Sequence, residues 1–309
     1  MKAVILVAGL GSRLFPVTKA IAKALLPIAN RPTLAYAFDQ LKECGIEEIC
    51  LVVGANEDEI RAALKEGSEY GVKLSYVRQT EPLGLAHAMS FAKDFVGGDD
   101  FILYLGDVIY DQPLKKFVDR FLESGCANLN LVKEVEDPRR FGVANVDGER
   151  IIKLVEKPQN PESNLAMAGM YVFSPAIWDV LEDLKPSARG EYEITDAIQL
   201  LVDRGAVVLA GVYMGNWFDT GTLDSFLETT RSLTGGQHLI SDSAMVRGEL
   251  SGVVVVGDGA SVECESIEDS VILPGAKIRV SGSIKGCLLG GEFSSAQSLF
   301  GAIKYSDLV

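Results

Sequence analysis

The strongest constraint on the fold is an alternation of two hydrophobic patterns over the first 130 residues. Short apolar, β-rich runs occur at 3–8, 49–53, 101–105 and 129–132. Segments with helical spacing separate them, at 33–43, 58–65, 85–95 and 114–122. Strands that alternate with helices form βαβ units, which give a largely parallel sheet covered on both faces. The pattern therefore predicts an α/β fold with a Rossmann-like, mostly parallel sheet.

The pattern changes at about residue 140. Asp147-Gly148 stands between two β-type runs and predicts a hairpin turn. A further β-type run at 167–173 precedes helical patterns at about 175–184 and 194–202. Ligands of such sheets bind beyond the carboxyl ends of the strands. We interpret this middle part as an insertion that closes over that edge within the same domain.

After about residue 239 the helical periodicity ends. Short β runs punctuated by glycine and proline follow, with small residues at steps of roughly six, which is typical of a parallel β-helix of about three coils. We predict two domains, a larger α/β domain at 1–238 and a short left-handed parallel β-helix at 239–309. Because the open end of so short a solenoid needs a cover, we expect the catalytic domain or a partner subunit to supply it, and hence a homo-oligomer formed through the tail.

Charge and cysteine usage argue against several classes of protein. There are 29 Lys and Arg against 43 Asp and Glu, a formal net charge of −14, and so acidic a surface repels nucleic acid. No apolar run approaches the roughly 20 residues that span a membrane, and the start lacks the pattern of a signal peptide. The five cysteines are scattered and odd in number, which suits reduced thiols in the cytoplasm. Two histidines leave little material for a histidine metal site or a Ser-His-Asp triad.

Residues 7–23, VAGLGSRLFPVTKAIAK, concentrate cations in this acidic chain. The segment bends through two glycines and then carries Arg13, Lys19 and Lys23. Glycines let backbone N–H groups approach an anion, an arginine forks onto phosphate oxygens, and a lysine adds a mobile charge. The Walker loop is absent, and the dinucleotide fingerprint lacks its third glycine. The segment indicates a polyphosphate cradle in which Lys19 is a solvated charge; the alternative is a plain glycine turn between strand and helix.

The longer segment AGLGSRLFPVTKAIAKALLPIANRP resembles the signature of the sugar-1-phosphate nucleotidyltransferases. Further segments that resemble the family follow in the same order along nearly the whole chain: RQTEPLGLAHA, LGD, RFGVANV, EKP, SNLAMAGMYVF, GEYEITDAI and WFDTGT. From residue 75 onward the likeness is to long-form glucose-1-phosphate thymidylyltransferases, which carry a β-helical tail. The opening AGLG is similar instead to that of UTP-glucose-1-phosphate uridylyltransferases, and Ala22 stands where many members have proline.

The resemblance implies attack of a sugar-1-phosphate oxygen on the α-phosphorus of a nucleoside triphosphate, with pyrophosphate as leaving group. Positioning and charge neutralisation then supply most of the catalysis, without a covalent nucleophile. Arg13 and Lys23 are implied to bind the β- and γ-phosphates, and Lys157 the phosphate of the sugar. Asp107 and Asp219 are implied to approach one Mg²⁺, which needs only one or two carboxylates besides substrate phosphates.

The remaining implied contacts form two groups. Nucleotide contacts are assigned to Ala8, Gly9, Leu10, Gly11, Ser12, Gln79, Pro82 and Gly84. Sugar contacts are assigned to Gly142, Glu156, Lys157, Gly169, Glu191, Tyr192 and Trp217. The side-chain amide of Gln79 can complement the hydrogen-bonding edge of a pyrimidine. Gly84 leaves room for the flat face of the ring. Trp217 is as readily a core aromatic as a ligand contact, and His87 is interpreted as a helix residue.

The partners are therefore a hexose-1-phosphate and either dTTP or UTP. Thymine and uracil share one hydrogen-bonding edge, and a single methyl in an apolar pocket is worth only about 1 to 3 kcal/mol. The leading hypothesis is an enzyme that makes dTDP-glucose, with UDP-glucose as the rival product. A regulatory homologue without catalysis is a different class, and the presence of every catalytic candidate counts against it. An acyltransferase site in the tail is disfavoured because no histidine follows His238.

Overall fold

The computed structural model describes residues 1–306, and the chain forms two compact units. The first, here called the sheet unit, contains Met1–Gly9 and Tyr36–Trp217. The second, here called the coil unit, contains Leu10–Ala35 and the chain from Phe218 onward. The opening segment thus belongs to the same unit as the C-terminal coils. The division into a catalytic domain at 1–238 and a tail at 239–309 stays a prediction.

The bounds of the strands and helices are as follows. The strands up to residue 219 are β1 (Lys2–Leu6), β2 (Pro27–Ile28), β3 (Arg31–Pro32), β4 (Glu48–Val53), β5 (Lys73–Arg78), β6 (Phe101–Leu105), β7 (Val108–Tyr110), β8 (Asn128–Glu134), β9 (Gly142–Asp147), β10 (Arg150–Glu156), β11 (Leu165–Phe173), β12 (Val208–Val212) and β13 (Trp217–Asp219). The helices are α1 (Val17–Ala20), α2 (Thr33–Glu43), α3 (Glu57–Leu64), α4 (Leu85–Ser90), α5 (Lys93–Val96), α6 (Lys115–Ser124), α7 (Ile177–Leu181), α8 (Ile194–Asp203) and α9 (Leu223–Leu233). The C-terminal strands are β14 (Leu239–Ile240), β15 (Met245–Val256), β16 (Ser261–Ile272), β17 (Lys277–Val280), β18 (Ser283–Lys285), β19 (Leu288–Gly290), β20 (Glu292–Ser295), β21 (Leu299–Phe300) and β22 (Ile303–Tyr305).

A nine-stranded sheet forms the centre of the sheet unit, in the order β5-β4-β1-β6-β11-β8-β12-β10-β9. Its first four strands pair in parallel, as the alternating pattern predicted. β11 runs antiparallel to both β6 and β8, and β9 and β10 form the predicted antiparallel hairpin. The prediction of a mostly parallel sheet was wrong in this half, because β11 follows a hairpin and not the helical crossover that a parallel pair requires. The fold is α/β with a mixed sheet.

Three strands of the parallel half, β1, β4 and β6, are almost continuously apolar because they are buried on both faces. β1 lies between β4 and β6, and its residues Ala3, Val4 and Ile5 are fully buried. A strand covered on both faces needs apolar side chains on both, so its sequence loses the alternation of a surface strand. This packing fixes the ends of β1 and β6, from which two loops of the candidate site begin.

Parallel stacking organises the C-terminal part of the coil unit. Met245 pairs with Ser261, Ser261 with Lys277, and Lys277 with Glu292, so each coil advances the chain by 15 or 16 residues. The buried apolar side chains of the coils form one cluster, which includes Val254 and Ile272. A single coil cannot bury its apolar side alone, so the stacking of successive coils stabilises this part of the coil unit. The parallel arrangement agrees with the expectation from sequence.

The cysteines are free thiols, and three of them are buried: Cys50, Cys126 and Cys287. Burial raises the pKa of the Cys50 thiol to about 12 and, with the charge of Glu43, that of Cys44 to about 11. Both thiols therefore stay protonated at neutral pH and are poor nucleophiles. Within residues 1–306, no helix has the length and apolar character to cross a membrane.

Candidate active site

The turn after β1 is braced on one side and open on the other. The backbone N–H of Val7 donates to the carbonyl of Val52, 2.9 Å away. Gly54 lies so close to this turn that a Cβ on it would come within 2.7 Å of the Ala8 carbonyl oxygen. A Cβ on Gly9, by contrast, would meet no atom within 4 Å. Fixed backbone beside open space is what a loop needs to present N–H groups to a ligand.

Asp107 is held in a tight turn between β6 and β7. Its side chain is half-buried. The hydroxyl of the fully buried Tyr104 donates to the carbonyl of Val108, 3.1 Å away, and so closes the turn around it. Burial raises the pKa of Tyr104 and of Tyr110 well above the usual range, and the nearby carboxylate of Asp107 adds to both shifts. Both phenols stay protonated, and this keeps the Asp107 turn rigid.

Gln79 is buried after β5, and its amide is fixed by two contacts. Its side-chain Nε2 lies 3.1 Å from Nδ1 of His87 and 3.4 Å from the carbonyl of Gly84. His87 thus orients the amide that sequence reasoning assigned to the base, a role the sequence did not reveal. Pro82, at the outer end of this loop, is exposed.

The loop that carries Gly84 is paired with the backbone of Tyr192. The N–H of Tyr192 donates to the Leu83 carbonyl at 2.7 Å, and the Tyr192 carbonyl accepts from Ala86 at 3.0 Å. Gly84 has φ +112°, and a Cβ on it would lie 2.7 Å from the Tyr192 nitrogen. The predicted nucleotide loop and the predicted sugar residue Tyr192 are therefore in direct contact.

Gly84→Ala tests this contact. We expect a loss of about 2 to 4 kcal/mol in the free energy of unfolding, because the methyl meets backbone and the conformation is strained. Where the variant still folds, KM for the triphosphate rises more than KM for the sugar phosphate. Thermal denaturation and initial rates measure the two effects.

Gly97→Ala is the matched control for that variant. Gly97 also has positive φ, +63°, but a Cβ there meets nothing within 4 Å. It therefore carries the conformational cost without the steric one, about 1 to 2 kcal/mol. Equal losses in the two variants would contradict the importance of the Tyr192 contact.

Glu156 is the last residue of β10, and Lys157 follows it. Hydrogen bonds and an ion pair hold both residues in place. The Thr195 hydroxyl donates to Glu156 Oε2 at 3.0 Å, and Lys157 Nζ lies 3.3 Å from Glu156 Oε1. Lys157 has φ +43°, in the left-handed region, and its N–H donates to the Phe141 carbonyl at 3.0 Å. A Cβ on Gly142 would come within 3.1 Å of Glu156 Oε2. Strain of this kind at a lysine with an exposed charge is typical of functional sites.

Arg189 joins the carboxylates around Glu156, and sequence reasoning missed it. Its guanidinium lies 3.2 Å from Glu193 Oε1, 3.0 Å from Glu191 Oε1 and 3.5 Å from Glu156 Oε1. Burial, and then the charge of Glu156, raises the pKa of Glu193, while Ser187 and Arg189 oppose the shift. The signal was present in ARGEYEITD, where one arginine precedes three carboxylates. The network fixes the orientation of Glu156.

Trp217 and Gly169 have mainly packing contacts in the sheet unit. The Trp217 ring is half-buried at 5.0 Å from the Phe141 ring, and its buried Nε1–H has no partner among the residues described. A buried donor without a partner costs about 1 to 3 kcal/mol, so such groups ask for an explanation. Gly169 has φ +87°, and a Cβ on it would press on Leu105 and Val108 at 3.1 to 3.2 Å. Their sugar contacts stay predictions.

In the coil unit, Gly11 folds the opening loop back on itself. Gly11 has φ +64°, and a Cβ on it would lie 3.1 Å from the Cβ of Lys23. The Thr18 hydroxyl donates to the Gly11 carbonyl at 2.8 Å. Leu10, Ser12 and Arg13 are exposed on this loop, and Lys23 is half-buried beneath it. Lys19 is exposed 5.1 Å from the ring of Phe15, consistent with a solvated charge.

The coil unit also brings Arg13 and Asp219 together, over Gly221. The Gly221 N–H donates to Asp219 Oδ1 at 3.0 Å. A Cβ on Gly221 would lie 2.9 Å from Arg13 Cζ and 2.9 Å from Asp219 Oδ1. A side chain at this position would require the guanidinium to shift. Sequence reasoning named Arg13 and Asp219 but missed Gly221, because the contact joins segments about two hundred residues apart.

The carboxylates suit magnesium better than zinc. Among residues 1–306, no three or more His, Cys, Asp and Glu side chains lie close enough together to hold a metal ion. Structural and catalytic zinc require at least three such ligands, whereas Mg²⁺ takes one or two carboxylates with substrate phosphates. Asp107 and Asp219 are half-buried carboxylates: the Tyr104 hydroxyl closes the turn of Asp107 by donating to the Val108 carbonyl, and Asp219 Oδ1 accepts from the Gly221 N–H. This donor chemistry fits Mg²⁺.

Comparisons with known proteins agree on one family. Residues 2–235 match the family described as Nucleotidyl transferase. The chain is 42% identical to the low-salt glycan biosynthesis nucleotidyltransferase Agl11 of Haloferax volcanii, over 94% of this chain and 92% of that protein. It is 41% identical to a glucose-1-phosphate thymidylyltransferase of Streptomyces griseus, over 93% of this chain and 81% of that protein. A crystal structure of UDP-glucose pyrophosphorylase with UDP-glucose superposes with a TM-score of 0.70 at 29% identity, over 76% of this chain and 99% of the other.

Proposed function

Because the chain belongs to the nucleotidyl transferase family, we propose that it condenses dTTP with glucose-1-phosphate to give dTDP-glucose and pyrophosphate. The observation that carries the proposal is 41% identity to a glucose-1-phosphate thymidylyltransferase over 93% of this chain. The fixed amide of Gln79 and the strained Lys157 support it, since they provide the base-reading and phosphate-binding groups that the reaction needs.

In the sheet unit, the base and the sugar phosphate are bound by separate groups. The Gln79 amide, oriented by His87, complements the imide edge of the pyrimidine. Lys157 neutralises the phosphate of the sugar, and Glu156 accepts hydrogen bonds from sugar hydroxyls while Thr195 and Arg189 hold it in place. The orphaned Trp217 Nε1–H is a further donor for a sugar hydroxyl. Orientation of this kind lowers the entropic cost of bringing two substrates together.

In the coil unit, the opening loop binds the triphosphate end. Arg13 forks onto β- and γ-phosphate oxygens and stabilises the charge that develops on departing pyrophosphate. Lys23 adds a second cation beneath the loop. We propose Asp219, and Asp107 of the sheet unit, as ligands of Mg²⁺, which would screen the phosphate charges against one another. The sugar-phosphate oxygen is already an anion, so no residue is needed as a general base.

UDP-glucose synthesis is the second candidate. The opening AGLG and the structural likeness to UDP-glucose pyrophosphorylase favour it. Selectivity between dTTP and UTP rests on one methyl group, worth about 1 to 3 kcal/mol, or roughly 10- to 200-fold in kcat/KM.

One incubation series tests the function. The full chain is incubated with Mg²⁺, glucose-1-phosphate and each of dTTP, UTP, ATP, GTP and CTP, and products are identified by mass spectrometry. We expect dTDP-glucose with the highest kcat/KM. A higher kcat/KM with UTP than with dTTP would show that the product is UDP-glucose. Pyrophosphate release at the background rate with every triphosphate would favour the regulatory homologue.

Three further properties belong to this proposal. We propose that the parallel coils have left-handed winding. The exposed Met245 and Phe300 make the coils a candidate surface for a homo-oligomer, which analytical ultracentrifugation tests. The scattered free cysteines suit the reducing conditions of the cytoplasm.

A further inference from the structure

The opening segment packs on the C-terminal coils within the coil unit. α1, which lies between Arg13 and Lys23, contacts β19 and β22. The same segment continues into the small hairpin of β2 and β3, and β2 contacts α9. α9 in turn contacts β15 and β16. Both segments that carry proposed phosphate and metal ligands in this unit are therefore supported by the coils.

A first specific anchor lies at the tip of the β2–β3 hairpin. Asn30 has φ +57°, and its Nδ2 donates to the carbonyl of Val256, the last residue of β15, at 3.1 Å. The hairpin begins directly after the turn Lys23–Leu25. The carbonyl of Leu26 accepts from both the N–H and the hydroxyl of Thr33, at 3.0 and 2.8 Å, which locks the base of the hairpin. Because Asn30 is held on the coils, the hairpin is held there too, and with it the position of Lys23 just before the hairpin.

A second anchor lies at the far end of α9. The helix begins at a capping box formed by Thr222 and Ser225, directly after the turn of Asp219 and Gly221. Near its other end, Arg231 Nη2 lies 2.8 Å from Asp269 Oδ1 on β16. The same oxygen accepts the backbone N–H of Val253 at 2.8 Å. Eleven residues of α-helix span about 16 Å, so α9 acts as a rigid link from the coils to the Asp219 turn.

We propose that the C-terminal coils are a positioning part of the catalytic machinery, with Asn30 and Arg231 as the positioning residues. Neither side chain touches substrate; each holds a loop that does. The inference rests on the proposed function, because it assigns the supported loops to triphosphate and Mg²⁺. It adds that the coils act within one chain, whether or not they also contact a partner. Since both anchored loops serve the triphosphate, weakening the anchors affects dTTP binding and leaves the sugar-phosphate side unchanged.

Two substitutions isolate the anchors. Asn30→Gly removes the amide while keeping a residue that tolerates positive φ. Arg231→Gln removes the charge from the pair with Asp269. We expect each to weaken dTTP binding by about 5-fold, the equivalent of one net hydrogen bond, and the double variant by about 10-fold or more. Calorimetry gives Kd for dTTP with Mg²⁺, and initial rates give KM for each substrate.

Arg120→Gln is the matched control, because Arg120 forms a similar exposed ion pair with Glu149, at 2.6 Å, in the sheet unit. It should change neither KM. A second variant that ends at Phe300 removes β22, a strand that contacts α1, and should also weaken dTTP binding.

The outcomes separate the alternatives. Weaker dTTP binding with unchanged KM for glucose-1-phosphate and unchanged sedimentation supports the inference. A lower melting temperature with both KM values unchanged overturns it, and so does a loss of activity that tracks a change in subunit number. If the parent protein makes no nucleotide sugar, the proposed function is wrong. If the parent is active but the variants bind dTTP as tightly as the parent does, only this inference is wrong.

Discussion

Asp107→Asn is expected to lower kcat for pyrophosphate release by about 10²- to 10³-fold, the scale seen when one charge-stabilising group is removed from an active site. The amide has nearly the shape of the carboxylate, and the Tyr104 hydrogen bond that closes the turn does not involve the side chain. The melting temperature should therefore change little. In the proposed site, the substitution removes a negative ligand for Mg²⁺. Initial rates over a range of Mg²⁺ concentrations should show a higher metal requirement.

Asp119→Asn provides the control for this variant. Asp119 is an exposed carboxylate on α6, paired with Lys115 four residues away. Such surface pairs contribute between 0 and about 1 kcal/mol, so activity should stay within about twofold. If Asp107→Asn kept near-parental kcat at low Mg²⁺, Asp107 would not be a metal ligand.

Arg13→Ala is expected to have the second large effect, a loss of about 10²- to 10³-fold in kcat/KM for the triphosphate. The side chain is exposed at the open end of the glycine loop, and its removal leaves the packing of the loop intact. Arg13→Lys should recover part of the loss, because it keeps the charge but not the planar fork. Initial-rate kinetics with dTTP varied at saturating glucose-1-phosphate measure the effect.

Two neighbouring positions sharpen the test. Gly221→Ala places a methyl against the guanidinium of Arg13 and Oδ1 of Asp219, so it should shift these groups and give a smaller defect than Arg13→Ala while the charge is kept. Lys19→Ala removes a cation six residues further along the same segment, where the side chain is exposed beside Phe15. Activity should stay within about twofold for that surface charge. Equal losses in Lys19→Ala and Arg13→Ala would mean that only the overall charge of the segment matters.

Periodicity predicted the bounds of α2 and β6 best. The helix predicted at 33–43 and the strand at 101–105 have the observed bounds. The helical pattern at 85–95 is broken into α4 and α5. The direction of β11 could not be read from its residues, because a strand buried on both faces is apolar whether its neighbours are parallel or antiparallel.

The sequence suggested candidate residues where one residue type carries the chemistry, and their roles stay predictions. Arg13, Asp107 and Lys157 stand next to glycine turns or strand ends, and such positions show in the sequence. Gly221 and His87 did not stand out, because their importance lies in contacts with Arg13 and Gln79 that only the fold creates. The support of the opening loop by the coils is of the same kind, since it joins the two ends of the chain.

A crystal structure of the full chain with dTDP-glucose tests the central claim most directly. The claim is that the carboxyl edge of the parallel strands binds a nucleotide sugar. The account predicts the pyrimidine against the Gln79 amide and the phosphate next to the sugar within hydrogen-bond distance of Lys157 Nζ. A nucleotide sugar bound elsewhere, with Gln79 and Lys157 contacting only water, would contradict it.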